Sequence, residues 1–278
     1  MASAKTSTQE RVVLCVNIGN AVTKLGIYQG AVLAATWVVT TPDDLTLSEV
    51  ETVLMNFAAS LKSSSLAVEA EGATVSLEEV SGSIIASVVP NITEKWATAL
   101  MVRLGRRPFV VGPGLKTGIK LGYSDPAEIG ADRIADAVAA RKLFGAPVII
   151  INMETTTTFE VIDKDGNFAG GIIAPGLEIS ARELSNNAAK IPVIDIKAPK
   201  TVVGKSTREA VQAGVVMGEV ARIDGLVGMI WRELGYQTKV IAAGANAKLI
   251  QMLSENVDEC IDNLTLRGLK ELYDLNAK

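Results

Sequence analysis

The chain has 278 residues, 27 of them basic and 31 acidic, giving a formal net charge of −4, and 48% of its residues are hydrophobic. This length is enough for two domains with sizeable cores, and the composition argues against intrinsic disorder. A negative net charge does not provide the basic surface that nucleic acid requires, so we expect no nucleic-acid partner. No apolar stretch reaches the roughly 18 residues of a membrane span, so we also expect no membrane partner.

Two residue types restrict the possible chemistry further. The chain contains no histidine, which excludes Ser-His-Asp and Cys-His catalysis and His-ligated zinc. Proton transfer must fall to other side chains, and carboxylates are the leading candidates. The two cysteines, Cys15 and Cys260, do not make a disulfide framework, and Cys15 lies in an apolar run that predicts a buried, inert thiol. We expect a cytoplasmic protein with a flexible N-terminus at residues 1–11.

The first half of the chain, residues 12–112, is predicted to alternate strands and helices. Apolar, β-branched runs bounded by turn residues indicate strands, and an apolar period of about 3.6 residues indicates helices. The predicted strands are Val12–Val16, Lys24–Tyr28, Val32–Val39, Ser83–Val88 and Pro108–Val111, and the predicted helices are Thr46–Lys62 and Thr93–Leu104.

The second half, residues 113–278, repeats the opening pattern of strand, polar turn, strand, tight turn and strand. Its predicted strands are Pro147–Ile151, Thr156–Ile162 and Asn167–Ala174, and its predicted helices are Ala131–Phe144, Leu177–Ala189, Thr207–Leu234, Asn246–Leu253 and Leu266–Asn276. The turn at residues 17–20 aligns with the turn at residues 152–155. The chain is therefore predicted to be an α/β protein of two duplicated domains with a ligand-binding cleft between them.

Two segments are candidates for a site on local grounds alone. The polar turn at residues 17–20 would let backbone N–H groups face an anion, although an ordinary hairpin turn explains it equally well. The segment 130–137 places Asp132 in the first turn of a helix, where the helix dipole stabilises a carboxylate. Its alternative interpretation is a helix cap with a surface ion pair.

Six segments, taken in order, give a more specific signal, and through them the chain resembles the type III pantothenate kinases. They are Ala86–Pro90, Gly112–Gly118, Gly130–Arg133, Gly170–Gly176, Gly204–Thr207 and Leu264–Leu269. The resemblance extends from about Val12 to Asn276. It implies two actin-like (ribonuclease H-like) domains, as in sugar kinases and Hsp70, and a homodimer. It also implies ATP-dependent phosphorylation of pantothenate, the first step towards coenzyme A.

The resemblance also implies roles for individual residues. Asp132 matches the catalytic base that deprotonates the pantothenate hydroxyl. The matching pantothenate contacts are Tyr123, Gly130, Ala131, Asp132, Arg133 and Thr207, the last of which the family supplies at the dimer interface. The matching ATP-binding positions are Asn17, Gly19, Asn20 and Lys24 in a first phosphate loop and Thr155 in a second. Asn152 occupies the position of an Asp that binds a monovalent cation.

The nucleotide side departs from the family pattern at three places. The first loop has Asn17 and Ala21 where the family pattern is Asp-x-Gly-Asn-Thr. The second reads Asn152-Met153-Glu154-Thr155 in place of Asp-Phe-Gly-Thr, and residues 243–245 read Ala-Gly-Ala in place of Thr-Gly-Gly. An amide is a weaker ligand than a carboxylate for a hard cation. Glu154 adds a charge that repels phosphate by about 4 kcal/mol for two unit charges ~4 Å apart at an effective dielectric of ~20.

These departures leave two hypotheses. The favoured one is a binding or regulatory protein on the kinase scaffold that holds pantothenate, a related small molecule or a partner subunit. It would be a pseudoenzyme with weak or lost ATP binding and no required cofactor. The alternative is an active kinase that uses ATP with Mg²⁺ and K⁺ or NH₄⁺, in which Glu154 is a replacement metal ligand. A third class, transcriptional regulation, has been attached to some relatives, but no helix-turn-helix signature or basic patch supports direct DNA binding.

Overall fold

A computed structural model describes residues 11–62 and 75–277 of the chain, and every structural statement below concerns these residues. They form two compact units. The first unit comprises residues 11–62, 75–116, 130–135 and 265–277, and the second comprises residues 117–129 and 136–264. The predicted flexible N-terminus lies outside the described residues except for Arg11. None of the described helices is both long and apolar enough to cross a membrane.

The first unit contains a five-stranded sheet in the order β3-β2-β1-β4-β5. Its strands are β1 (Val12–Ile18), β2 (Val22–Gln29), β3 (Val32–Thr40), β4 (Val80–Ser87) and β5 (Phe109–Val110), and the helices α1 (Leu47–Lys62) and α2 (Pro90–Leu104) contribute to its core. β1 pairs antiparallel with β2 and parallel with β4. Cys15 of β1 is fully buried, and burial raises the pKa of its thiol far above the usual range. The predicted buried, inert thiol is thus confirmed.

The second unit contains another five-stranded sheet, in the order β8-β7-β6-β9-β10. Its strands are β6 (Val148–Met153), β7 (Thr156–Ile162), β8 (Phe168–Pro175), β9 (Lys239–Gly244) and β10 (Glu259–Cys260). The remaining helices are α3 (Ala131–Phe144), α4 (Leu177–Asn187), α5 (Thr207–Leu234), α6 (Ala247–Gln251) and α7 (Leu264–Asn276). In both sheets the first strand of the unit is central. On one side it pairs with an antiparallel strand that in turn pairs antiparallel with the edge strand, and on the other side it begins a run of parallel pairs. The repeated order confirms the predicted α/β duplication.

Several element boundaries differ from the prediction. β1 continues through Ile18 and β6 through Met153, so Asn17 and Asn152 lie in strands and the turns that follow are shorter than predicted. The strand β9 was not predicted at all. Its centre is a short apolar run buried on both faces, and such a run lacks the alternation that distinguishes a strand from a helix.

Gly268 of α7 lies directly against the first turns of α3. A Cβ atom at this position would sit 1.8 Å from the backbone carbonyl oxygen of Ala135. Backbone atoms cannot move aside as a flexible side chain can, so only glycine fits without displacing a helix. This contact gives a physical reason for the glycine in the segment Leu264–Leu269.

We therefore expect Gly268→Ala to lower the free energy of unfolding by about 1–3 kcal/mol, because the added methyl group overpacks a backbone contact. Gly225→Ala in α5 is the matched control, since a Cβ there would meet no atom within 4 Å. Helix propensity predicts that this control is neutral or stabilising by up to about 1 kcal/mol. The free energy of unfolding of both variants can be measured in urea. An equal loss in the two variants would contradict the role given to the Gly268 contact.

Candidate functional site

The first polar turn joins β1 to β2 in the first unit. The Gly19 amide donates a hydrogen bond to the Val22 carbonyl at 3.0 Å, which closes the turn. Asn17 precedes the turn within β1 and lies opposite Lys24 of β2. The Oδ1 atom of Asn17 is buried and has no hydrogen-bonding partner among the described residues. This end of the strand therefore presents a neutral amide oxygen, with Asn20 exposed in the turn.

The second turn joins β6 to β7 in the second unit, and two glycines approach it closely. A Cβ on Gly176 would lie 2.6 Å from the Thr155 carbonyl oxygen, and a Cβ on Gly244 would lie 2.2 Å from the Met153 carbonyl oxygen. Gly244 also has a φ of 97°, which side chains rarely adopt. The backbone of residues 153–155 is thus held between the ends of β8 and β9.

Glu154 lies at the tip of this turn and is half-buried. Its backbone amide donates to the Thr156 carbonyl at 3.0 Å, so this N–H is already used within the turn. The side chain adds a carboxylate at the same place. Among the described residues, no cluster of three or more acidic or cysteine side chains is arranged to hold a metal ion.

Asn152 makes the most informative side-chain contact of the second unit. Its Nδ2 atom donates a hydrogen bond to Oδ2 of Asp136 at 2.5 Å, and Asp136 is only 1% exposed. Because an ionised carboxylate only accepts, the amide nitrogen must face it. The amide N–H therefore occupies the place next to Asp136 where a bridging cation would lie between two carboxylates. This pair offers a cation one negative charge fewer than two carboxylates would, while the Oδ1 atom of Asn152 is buried and has no hydrogen-bonding partner among the described residues.

Asp132 lies in the first turn of α3, within the first unit. Its Oδ1 atom accepts a hydrogen bond from the Arg133 amide at 2.8 Å, as expected for a carboxylate at a helix N-terminus. A Cβ on Gly130 would lie 2.6 Å from the same oxygen, so Gly130 leaves room for the Asp132 side chain. Asp132 is half-buried and Arg133 is 6% exposed. The result is an oriented carboxylate that is able to accept a proton.

The remaining predicted substrate contacts belong to the second unit. The Tyr123 ring packs edge-to-face on Phe168, with ring centroids 5.7 Å apart. Thr207 is exposed at the first position of α5, and the preceding residue, Ser206, caps this helix by accepting a hydrogen bond from the Glu209 amide. The predicted site residues are thus divided between the two units. The first unit contains residues 17–24 and 130–133, and the second contains Tyr123, residues 152–155 and Thr207.

Sequence reasoning missed a buried polar network behind the second turn. The hydroxyl of Thr157, at the start of β7, donates to Glu219 of α5 at 2.6 Å. Glu219 also forms an ion pair with Arg222, which donates to the Pro175 carbonyl at 2.6 Å. The network ties the start of β7 and the end of β8 to α5. Its sequence signal is a charged residue, Glu219, on the otherwise apolar face of a helix.

We expect Thr157→Val to lower the free energy of unfolding by about 1–3 kcal/mol, because it leaves a buried carboxylate short of a donor. Thr158→Val is the matched control on the next residue. Thr158 is 9% exposed, and its hydroxyl makes no hydrogen bond within the part of the chain that the structure describes. Equal losses for the two variants in chemical denaturation would show that the hydrogen bond is not what matters.

Comparison of the sequence with known proteins identifies its family. The family model described as type III pantothenate kinase matches residues 13–229. A type III pantothenate kinase of Exiguobacterium sp. is 38% identical over 267 residues, covering 96% of this chain and all of the relative. One from Agathobacter rectalis is 36% identical over 263 residues, covering 94% of this chain and 96% of the relative. The chain belongs to the type III pantothenate kinase family.

Solved structures agree on the fold. A Campylobacter jejuni protein described as a Baf family transcriptional activator superposes with a TM-score of 0.56 at 14% identity, covering 95% of this chain and 98% of that one. The ethanolamine utilization protein EutJ from Carboxydothermus hydrogenoformans gives 0.54 at 14% identity, covering 96% and 92%. At these identities the likeness supports the actin-like architecture and nothing more.

Proposed function

We propose that this chain is a pantothenate-binding member of its family, acting in coenzyme A biosynthesis on a scaffold whose nucleotide loops have lost much of their affinity for ATP. The observation that carries the proposal is the second turn. There the half-buried Glu154 places a carboxylate where the family pattern has a glycine. Membership of the family supports kinase chemistry with ATP in its ancestry.

The pantothenate side of the proposal rests on Gly130–Arg133. Asp132 is the proposed base, and its hydrogen bond from the Arg133 amide orients the carboxylate. An ionised carboxylate is what a base needs to accept the proton of a substrate hydroxyl. Tyr123 and Thr207 are the further proposed contacts.

The nucleotide side rests on charge. In the proposal Gly19, Asn20, Lys24 and Thr155 remain as phosphate contacts. Asn17 offers a neutral oxygen where a carboxylate would attract Mg²⁺ or its water shell. Glu154 adds repulsion of about 4 kcal/mol for each unit charge ~4 Å away at an effective dielectric of ~20. Together these changes weaken Mg-ATP binding, and an amide at residue 152 beside Asp136 weakens a site for K⁺ or NH₄⁺.

The proposal includes a homodimer formed through the second unit, because Thr207 is exposed and matches a contact that the family provides across its dimer interface. The second unit also exposes large apolar side chains that a partner would cover. They are Ile173, Leu184, Val193, Val202 and Val203. Val193 and Val203 are the most exposed of these, at 77% and 79%.

We therefore expect light scattering at micromolar concentration to give twice the chain mass. Val203→Glu should weaken association because it places a charge in a desolvated contact. Val38→Glu, at an exposed aliphatic residue of the first unit, is the control and should leave the mass unchanged. A monomeric parent chain would refute the dimer.

The proposed function predicts an asymmetry in ligand binding. Calorimetry should detect pantothenate binding, whereas Mg-ATP should bind with millimolar affinity or not at all. The expected repulsion by Glu154 would lower the affinity for Mg-ATP by several factors of ten. Asp132→Asn should keep most of the pantothenate affinity, because it removes the negative charge of the proposed base but keeps the shape of the side chain. Micromolar Mg-ATP binding by the unmodified chain would overturn the proposal and favour Glu154 as a replacement metal ligand.

Restoring the nucleotide loops tests the cause of the weak binding. Glu154→Gly should improve Mg-ATP affinity the most, by about tenfold or more, because it removes charge and bulk together. Asn17→Asp and Asn152→Asp should then add cation ligands, with non-additive effects because all three residues would act on one ligand. Adding Asp132→Asn to the triple variant should abolish turnover. An unchanged Mg-ATP affinity in Glu154→Gly, or loss of an existing activity, would contradict this explanation.

A further inference from the structure

The first unit contains a cavity of about 350 Å³ that none of the predicted site residues lines. Arg11, which precedes β1, and Ser81, at the start of β4, line it, so it lies at the amino ends of these parallel strands. Asn17 lies near the carboxyl end of β1. Six residues of strand at about 3.3 Å each separate the two places by roughly 20 Å. The cavity is therefore distinct from the first phosphate loop.

Two arginines at this cavity carry positive charge that no acidic group of the described residues compensates. Arg11 donates to the Ala277 carbonyl and Arg106 donates to the Ser81 carbonyl, both at 3.1 Å. Neither guanidinium forms an ion pair within the described ranges. The third arginine, Arg107, is neutralised by Glu94 at 2.8 Å. The described lining residues, together with Glu94, thus carry a net charge of about +2, with guanidinium N–H groups of Arg11 and Arg106 still available.

Tyr273 of α7 completes the polar wall. This residue is only 6% exposed, yet its hydroxyl has no hydrogen-bonding partner among the described residues. The ring is held in place because its hydroxyl packs on Gly82, where a Cβ would lie 2.0 Å from it. Burial raises the pKa of the phenol, so at neutral pH the hydroxyl is protonated and is a hydrogen-bond donor. Phe109 packs edge-to-face on the ring, with centroids 5.7 Å apart, and adds an apolar wall.

We propose that this cavity is a binding site for a small phosphate monoester with an apolar or aromatic substituent. Two guanidinium charges match a dianion better than a monocarboxylate, and the arginine fork suits phosphate oxygens. The Tyr273 hydroxyl supplies a further donor. The volume lies in the range of small-molecule sites, about 300–1,000 Å³, and leaves room for a group beyond the phosphate alongside Phe109.

Calorimetric titration of the full chain at low ionic strength tests the site with three probes. Phenyl phosphate should bind more tightly than inorganic phosphate, because only the former fills the apolar part. Benzoate should bind at least about tenfold more weakly than phenyl phosphate, because it carries a single charge. Binding of phenyl phosphate should weaken as salt is added, as expected for exposed charges.

Variants locate the binding. Tyr273→Phe removes only a hydroxyl that lacks a hydrogen-bonding partner among the described residues, so the fold should persist. Both this variant and Arg106→Gln should weaken phenyl phosphate binding about fivefold or more. Arg103→Gln is the control, because it removes an equal charge from an exposed arginine of α2 outside the cavity. The proposal is overturned if phenyl phosphate does not bind at millimolar concentration. It is equally overturned if Arg106→Gln and Arg103→Gln have the same effect, or if Tyr273→Phe binds as the parent chain does.

Discussion

The hydrogen bond from the Asn152 amide to the Asp136 carboxylate is the interaction on which our account of the second unit depends. A carboxylate that is 1% exposed must be compensated, and here a neutral side chain contributes to this by donating an N–H at 2.5 Å. A carboxylate at residue 152 would face Asp136 directly and would require a cation. The amide removes that requirement, and with it a source of positive charge near the 152–155 turn.

Three glycines match the backbone packing that the family pattern requires, whereas three polar side chains differ from that pattern in charge. Gly176 and Gly244 still allow close contact with the backbone of residues 153–155, and Gly268 still allows α7 to meet α3. These positions are constrained by backbone atoms, so any side chain costs stability. The side chains of Asn17, Asn152 and Glu154 are under no such constraint and differ from the family pattern. Backbone contacts at glycines thus fix the fold here, whereas the side chains of the proposed nucleotide loops set their charge.

The sequence predicts the duplicated architecture because each half repeats the same order of strands and turns, and it aligns Asn17 with Asn152 correctly. It does not predict β9, because a short run buried on both faces has no period to read. It shows Asp136 only as one more acidic residue of α3, since its contact with Asn152 joins residues 16 positions apart. The arginine cavity joins Arg11, Ser81 and Tyr273, which only the folded sheet and α7 bring together.

The most direct test of this account is the cation dependence of thermal stability, measured in KCl and in tetramethylammonium chloride at equal ionic strength. The account predicts the same Tm in both salts for the unmodified chain. It predicts a lower Tm for Asn152→Asp in tetramethylammonium, recovered by K⁺, because that variant places two carboxylates together. A Tm for the unmodified chain that rises by several degrees in K⁺ would contradict the account. So would an Asn152→Asp variant that is fully stable without K⁺.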